Sequence, residues 1–313
     1  MVKTAFLFPG QGSQYVGMGK DFFDSRPESR ALFAEAGEVL KKDLANLCFN
    51  GPEEDLKLTE NAQPAILTVS IIALKTLREN GIESALTAGH SLGEYSALVA
   101  SGSVRFLDAV RLVHLRGRFM QEAVPVGVGA MAAIIGLPLE KIQKICLQCS
   151  VNGHLVQPAN MNSPEQTVIA GNREAVERAS EEALQAGAKR AVALPVSAPF
   201  HCPLMKPAEV KLRQELEKAE FRDLEFPVVA NVDAKPVLKG GEAREALVRQ
   251  VCSPVRWVDT MKYLVEQGIQ VAVEIGPGKV LSGLMKRFNK EVECYQVEDS
   301  ASLEKTVAAL KGR

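Results

Sequence analysis

The sequence has almost no charge imbalance. Its 37 lysines and arginines nearly match its 38 aspartates and glutamates, which gives a formal net charge of -1 at pH 7. Proteins that bind nucleic acid or membrane surfaces through general attraction need a basic face. We therefore expect neither as a general partner, and only a local basic patch stays open.

Long apolar runs are also missing. The N-terminal MVKTAFLFPGQG has four consecutive apolar residues before Pro9, fewer than the core of a secretion signal needs. The apolar stretch at 65–74 is far shorter than the roughly 20 residues of a membrane-spanning helix. These two observations predict a cytoplasmic protein.

Paired cysteines of the kind found in zinc sites and disulfide frameworks are scarce. Six cysteines are scattered along the chain, and in the absence of a secretion signal we expect reduced thiols. Cys146 and Cys149 form a lone Cys-x-x-Cys in a stretch with helical amphipathicity, and no second Cys or His pair completes a zinc site. We favour a core helix here over a metal or redox site.

Nucleotide-binding loops are incomplete. Gly10-Gln11-Gly12 follows a predicted strand, but Tyr15 stands where the dinucleotide motif needs its third glycine. The Walker motif fails at 19–20 and at 278–279. What remains at 10–12 is a glycine-rich loop whose bare N–H groups adjoin a sheet edge.

Short apolar runs alternate with amphipathic stretches, which predicts a parallel sheet covered by helices on both faces. The predicted strands of this larger unit are 3–8, 84–88, 225–230, 270–274 and 292–297. Its predicted helices are 27–42, 62–79, one that begins near 92, and 205–219.

A second unit interrupts the first. Pro125, Gly127 and Gly129 indicate a hinge, after which the order is strand, helix, strand, strand, helix, strand, as in ferredoxin-like units. These elements are predicted at 130–136, 138–149, 155–160, 166–170, 172–186 and 188–195. We predict a small domain of residues 128–197, inserted into a large α/β domain of residues 1–127 and 198–313.

The stretch GHSLG at 89–93 is a Gly-x-Ser-x-Gly pattern between a predicted strand and a predicted helix. A tight turn there exposes the Ser91 hydroxyl, and the helix N-terminus behind it favours negative charge. The backbone N–H of Leu92 could then donate to an oxyanion. Two interpretations stay open, a nucleophile and an ordinary helix N-cap.

A serine nucleophile near neutral pH needs a base, and the chain has four histidines. His90 adjoins the serine and would point elsewhere, His114 lies in a predicted helix, and His154 lies in a predicted turn. His201, which lies between two prolines where the chain re-enters the large domain, is the best candidate.

Arg116 and Arg118 flank Gly117 in a predicted helix. Most helix arginines are solvated, but one beside a serine nucleophile could bind the carboxylate of an acyl group through two parallel hydrogen bonds. An acyl group without a carboxylate would leave that guanidinium unpaired, at a cost of ~2–5 kcal/mol.

The motifs taken together resemble the malonyl-CoA:acyl carrier protein transacylases and, more broadly, the acyltransferase domains of fatty acid and polyketide synthases. They occur in the expected order over essentially the whole chain: FPGQGSQYVGMG, ENAQPA, GHSLGEYSALVASG, RGRFMQEAVP, ANMNSPEQTVIAG, FHCPLMKPA and EIGPGKVLSGL. The resemblance implies an α/β-hydrolase-like large domain with a ferredoxin-like insertion, in agreement with the order of predicted elements.

The resemblance also implies roles for individual residues. Ser91 would be the nucleophile, His201 its general base, and Arg116 the partner of the malonyl carboxylate. The N–H groups of Gln11 and Leu92 would form the oxyanion hole. The residues implied to orient His201 or to line the pocket are Gln250, through its backbone carbonyl, and Gln63, Met120, Asn160, Asn162 and Phe200.

Two residues bear on the choice of acyl group. Leu92 after the serine and Phe200 before the histidine resemble the malonyl-selecting choices of the synthase domains. Those domains often carry His-Ala-Phe-His, however, where this chain has Ala-Pro-Phe-His at 198–201. The departure leaves open a tolerance for methylmalonyl groups.

The function implied is ping-pong transfer of malonyl from malonyl-CoA to the phosphopantetheine thiol of acyl carrier protein, through a malonyl-serine intermediate. This would supply extender units for fatty acid synthesis, although a polyketide carrier also fits. We expect a monomer with no metal and no bound cofactor. The alternatives are a serine esterase or thioesterase, and a docking domain without catalysis.

Overall fold

The structure is a computed structural model that describes residues 2–196 and 198–311. These residues form ten strands: β1 (Thr4–Phe8), β2 (Leu86–Gly89), β3 (Gly129–Ile135), β4 (Val156–Ser163), β5 (Gln166–Asn172), β6 (Arg190–Ala193), β7 (Val228–Ala230), β8 (Lys235–Val237), β9 (Val271–Ile275) and β10 (Glu293–Val297).

The same residues form fourteen α-helices, with a short 3-10 turn at Pro203–Met205. The helices are α1 (Lys20–Ser25), α2 (Pro27–Leu40), α3 (Leu44–Asn50), α4 (Glu53–Lys57), α5 (Thr59–Glu79), α6 (Gly93–Ala100), α7 (Phe106–Glu122), α8 (Leu139–Cys149), α9 (Arg173–Gln185), α10 (Lys206–Lys218), α11 (Gly240–Gln250), α12 (Trp257–Glu266), α13 (Val280–Phe288) and α14 (Ser300–Leu310). In the part of the chain described, no helix combines the length and apolarity needed to cross a membrane.

The larger sheet has six strands in the order β10-β9-β1-β2-β7-β8. Neighbouring strands are parallel, except that β8 runs antiparallel to β7. Side chains of the central strand β1 alternate between two cores, with Phe6 and Phe8 on one face and Ala5 and Leu7 on the other. Because β1, β2 and β9 are parallel, their carboxyl ends meet at one edge of the sheet.

The smaller sheet is antiparallel, with strand order β4-β5-β3-β6, and its elements follow one another as β3-α8-β4-β5-α9-β6. One face packs on α8 and α9, where Ala132 and Ile134 meet Ile142. The opposite face contributes Met131 and Ala133 to the same core as Phe6. The smaller sheet is therefore covered by its own helices on one side and by the larger unit on the other.

A short backbone bridge joins the smaller sheet to the segment between α11 and α12. Asn160 in β4 pairs with Val255, in the segment after α11, as an isolated parallel bridge. The N–H of Met161 donates to the carbonyl of Val255 over 2.9 Å, and the N–H of Val255 donates to the carbonyl of Ala159 over 2.8 Å. This bridge fixes the smaller sheet beside the chain that follows Gln250.

The predicted mixed α/β fold with a mainly parallel sheet is confirmed. The predicted elements are present with shifted ends: α5 begins at Thr59 rather than at 62, and β6 ends at Ala193 rather than at 195. The antiparallel strand β8 was not predicted. The domain limits at 1, 197 and 313 fall on residues outside those described, and the domain division stays a prediction.

The Cys146–Cys149 pair lies on the buried face of α8, so the predicted core position is confirmed. Burial raises the pKa of the Cys146 thiol to about 12. Within residues 2–196 and 198–311, no cluster of three or more His, Cys, Asp or Glu side chains is arranged to hold a metal ion.

Helix α6 begins in close contact with the end of β1. A Cβ atom at Gly93 would overlap the carbonyl oxygen of Phe8, whereas a Cβ at Gly241, in the first turn of α11, would meet open space. We expect Gly93→Ala to lower the free energy of unfolding by ~3 kcal/mol, because backbone must move, and Gly241→Ala to change it by less than ~1 kcal/mol. Urea unfolding measures both, and similar losses would contradict the close approach.

Candidate active site

Ser91 lies in the turn between the end of β2 and the start of α6. Its φ of 52° is in the left-handed region that non-glycine residues rarely adopt. The side chain of Asn231, just beyond β7, supports the turn: its Oδ1 accepts the N–H of Ser91 over 2.7 Å, and its Nδ2 donates to the carbonyl of Gly89 over 2.7 Å. The turn presents the serine hydroxyl at the carboxyl edge of the larger sheet.

The N-cap interpretation of Ser91 is wrong. Helix α6 begins at Gly93 after Leu92, and no side chain among the described residues caps its N-terminus. The Ser91 hydroxyl instead contacts two side chains from elsewhere in the chain, His201 and Arg116.

His201 follows the smaller sheet and is nearly fully buried. Its Nε2 lies 2.8 Å from Ser91 Oγ, and its Nδ1 lies 2.9 Å from the backbone carbonyl oxygen of Gln250. A carbonyl oxygen can only accept, so Nδ1 carries the proton and Nε2 is left as an acceptor for the serine hydroxyl. This is the tautomer that a general base requires.

The electrostatic surroundings keep His201 neutral. Burial, and after it the positive charge of Arg116, lower the pKa of His201 from 6.5 to about 3. The imidazole therefore faces the serine without a charge of its own.

Arg116, on α7, is 1% exposed. Its Nη1 donates to Gln63 Oε1 over 2.7 Å, and its Nη2 donates to Ser91 Oγ and to Gln250 Oε1, each over 2.9 Å. The guanidinium also lies 5.7 Å from the ring centre of Tyr95. All of these partners are formally neutral, so a buried cation lies next to the serine hydroxyl, and no carboxylate of the residues described is bound to it.

Two backbone N–H groups beside the serine have no acceptor among the described residues, those of Gln11 and Leu92. The loop carrying Gln11 lies against the serine turn. The approach is so close that a Cβ on Gly10 would come within 2.5 Å of the carbonyl oxygen of His90. Both donors are free to meet negative charge that develops near Ser91.

The remaining residues singled out in the sequence lie around this centre or support it. Met120 and Phe200 are buried in the core that reaches the site. Asn160 forms the bridge to Val255, and Asn162 Oδ1 lies 2.9 Å from Nε2 of His90. Asn162 thus contacts a side chain adjoining the serine rather than the serine itself.

The other histidines lie apart from the Ser91 hydroxyl. Nδ1 of His114 lies 2.9 Å from the carbonyl oxygen of Glu60, and His154 is paired with Glu174 on the surface. His90 is held by Asn162, as described above. Of the four histidines, His201 is the one that contacts Ser91 Oγ.

Sequence reasoning missed two polar residues of the site, Asn231 and Glu94. Glu94 Oε2 accepts the backbone N–H of Asn231 and Nε2 of Gln250, each over 2.9 Å. Two signals were present: an acidic residue inside the otherwise apolar helix GEYSALVA, and an asparagine directly after the buried strand β7. Polar residues in such positions need partners.

Comparisons with known proteins agree with this arrangement. Residues 5–309 match the acyl transferase domain family. The chain is 49% identical over 311 residues to a malonyl CoA-acyl carrier protein transacylase of Bacillus subtilis, which covers 99% of this chain and 98% of that protein.

Solved structures are similar over the whole length. A malonyl CoA-acyl carrier protein transacylase from Coxiella burnetii superposes with a TM-score of 0.96 at 44% identity, over 99% of this chain and 98% of that one. A malonyl-transacylase in complex with its type II polyketide synthase acyl-carrier protein superposes with a TM-score of 0.95 at 49% identity, over 98% and 99% of the two chains.

The lowered pKa of His201 makes a prediction about stability. In the unfolded chain this histidine takes up a proton below pH 6.5, whereas in the folded chain it stays neutral down to about pH 3. The contribution of the neutral His201 side chain to the free energy of unfolding is therefore fully present above pH 6.5 and is lost as the pH falls. When the pH is lowered from about 7.5 to about 5, we expect the free energy of unfolding of wild type to fall by ~2 kcal/mol relative to that of His201→Gln. Urea unfolding of both proteins at the two pH values is the measurement, and parallel pH curves would contradict it.

Proposed function

The chain belongs to the acyl transferase domain family, and on this basis we propose that it transfers a malonyl group from malonyl-CoA to acyl carrier protein. Relatives named malonyl CoA-acyl carrier protein transacylase match nearly the whole chain at 49% and 53% sequence identity. One structural relative was solved in complex with an acyl-carrier protein. The product would supply extender units for fatty acid synthesis, and no metal or bound cofactor takes part in the steps below.

One observation carries the proposal. Ser91 Oγ lies between Nε2 of His201, at 2.8 Å, and Nη2 of Arg116, at 2.9 Å. A buried guanidinium with only neutral partners is costly unless an anion pairs with it. A carboxylate on the acyl group provides that anion, so the arrangement fits a malonyl thioester better than an acetyl thioester.

In the first half-reaction, His201 Nε2 takes the hydroxyl proton of Ser91 as Oγ attacks the thioester carbonyl of malonyl-CoA. The N–H groups of Gln11 and Leu92 stabilise the tetrahedral oxyanion, each contributing about a hundredfold to a thousandfold in rate. The C–S bond then breaks, the proton passes from His201 to the leaving CoA sulfur, and malonyl-Ser91 remains.

The second half-reaction reverses these roles. The phosphopantetheine thiol of the carrier gives its proton to His201 and attacks the ester carbonyl of malonyl-Ser91. The C–O bond breaks, the proton returns to Ser91 Oγ, and malonyl leaves as a thioester of the carrier. Arg116 holds the carboxylate through both half-reactions, which keeps the reacting carbonyl in one orientation.

The bound carboxylate also affects the base. In the free protein the charge of Arg116 contributes to the low pKa of His201. A malonyl carboxylate paired with Arg116 offsets that charge, so the basicity of His201 rises when the correct acyl group is bound. The backbone carbonyl of Gln250 fixes the imidazole tautomer where a triad would use a carboxylate.

The fold supports a finer description. The element order β3-α8-β4-β5-α9-β6 agrees with a ferredoxin-like insertion, and the strand–turn–helix at Ser91 agrees with an α/β-hydrolase-like large domain. We adopt 128–197 as the inserted domain. The monomeric state and the cytoplasmic location stay predictions.

The acyl-enzyme can be observed directly. After mixing with malonyl-CoA, intact-mass measurement should show one added malonyl group on wild type and none on Ser91→Ala. Ser96→Ala, which removes a serine hydroxyl in α6 that has no hydrogen-bond partner among the described residues, should be labelled like wild type. Added mass on Ser91→Ala would contradict the assignment. Loss of the malonyl group to water as fast as to carrier would instead identify a thioesterase.

The carboxylate role of Arg116 can be tested by comparing two acyl groups. We expect Arg116→Ala to lower malonyl transfer by about a hundredfold or more and acetyl transfer far less, because only malonyl loses an ion pair. The matched control is Arg118→Ala, since Arg118 lies on the same helix with a half-exposed side chain. Equal losses of malonyl and acetyl transfer, measured as kcat/KM, would refute the role.

A further inference from the structure

A buried carboxylate that the proposed mechanism does not use lies three residues after the serine. Glu94 is in the first turn of α6 and is 1% exposed. Its own N–H donates to the carbonyl of Ser91 over 3.1 Å. A carboxylate so completely buried needs a reason, because removing it from water is costly.

The hydrogen bonds of Glu94 connect it to the site through Gln250. Both donors to Glu94, the backbone N–H of Asn231 and Nε2 of Gln250, converge on the same oxygen, Oε2. Burial raises the pKa of Glu94 to about 7. A proton taken up would go to the other oxygen, Oε1, so Oε2 remains an acceptor in both forms.

Gln250 has three links to the reacting groups. Its Oε1 accepts from Arg116, its Nε2 donates to the carbonyl of Ser91 over 3.0 Å, and its backbone carbonyl accepts from His201. Its side-chain amide can work in only one orientation. If it were reversed, NH2 would face the N–H groups of Arg116 and the amide oxygen would face the carboxylate of Glu94.

The orientation of this amide depends on Glu94 most strongly during the reaction. In the free protein Arg116 enforces it as a donor to Oε1, and Glu94 and the carbonyl of Ser91 enforce it as acceptors of Nε2. When Arg116 turns toward the carboxylate of an acyl group, the two acceptors of Nε2, Glu94 Oε2 and the carbonyl of Ser91, keep Oε1 of Gln250 directed at the guanidinium, and Glu94 is the side-chain carboxyl of the two.

We infer that Glu94 is a positioning residue for acyl selection: it fixes the side-chain amide of Gln250, and through that amide it aims Arg116 at the carboxylate of the acyl group. This inference rests on the proposed function and adds a residue that touches neither substrate nor Ser91 Oγ. Asn231 contributes by holding Glu94 Oε2 and the serine turn together.

The test is Glu94→Gln, which keeps the shape but gives Gln250 a neutral partner that can present either oxygen or NH2. We expect the ratio of malonyl to acetyl kcat/KM to fall by about tenfold, as expected for one hydrogen bond to a charged group. Glu94→Asp keeps the acceptor on a shorter side chain, and its ratio of malonyl to acetyl kcat/KM should lie between those of wild type and Glu94→Gln.

The matched control is Glu274→Gln. Glu274, in β9, is also fully buried and also accepts two hydrogen bonds, from the backbone N–H groups of Leu281 and Ser282 in the first turn of α13, but it has no contact with Arg116 or Gln250. Its exchange should leave the malonyl to acetyl ratio within about twofold of wild type. Thermal unfolding of all variants separates lost stability from altered selection.

A double-variant cycle provides a readout that a merely structural role would not move. In an Arg116→Ala background, Glu94→Gln should have little further effect on the ratio, because both act through the same guanidinium. An unchanged ratio in the single variant, or fully additive effects in the cycle, would overturn the inference. Failure of wild type to transfer malonyl at all would instead overturn the proposed function.

Discussion

The buried guanidinium of Arg116 is the constraint on which the rest of the site depends. Removing a charge from water costs several kcal/mol, and here the cost is offset by amide and hydroxyl oxygens on three other segments. Gln63 and Gln250 must therefore be placed accurately, and Gln250 in turn requires acceptors for its own NH2 group. These requirements lead from α7 through α11 to the start of α6, so Ser91 and the Arg116 guanidinium are held by one continuous network.

The fold supplies the places that this network needs. The carboxyl edge of the larger sheet carries the serine turn after β2 and Asn231 after β7, and the Gln11 loop leaves β1 at the same edge. The smaller sheet adds a further support, because Nε2 of Gln157 in β4 donates to the carbonyl of His201 over 3.1 Å. His201 is thus held by the smaller sheet through Gln157 and by the end of α11 through Gln250.

Sequence patterns predicted what is local and missed what depends on contacts between distant segments. The strand, turn and helix around Ser91 follow from an apolar run and two glycines. The meeting of Ser91 with His201, 110 residues away, follows from no periodicity, and it was expected from the choice among four histidines and from the family resemblance. Strand β8 is three residues long and was missed because it has no apolar alternation. Glu94 was missed because its role lies entirely in which groups it touches.

The hydrogen bond from Arg116 to Ser91 Oγ has a consequence for inhibitor design. In the free protein one lone pair of the serine oxygen already accepts from a cation. A serine-reactive compound without an anion must displace that charged bond before it can react. A compound with a carboxylate at the spacing of a malonyl group would pair with the same cation and leave the serine oxygen free to react. Its selectivity over other serine enzymes would then come from the carboxylate rather than from the reactive group.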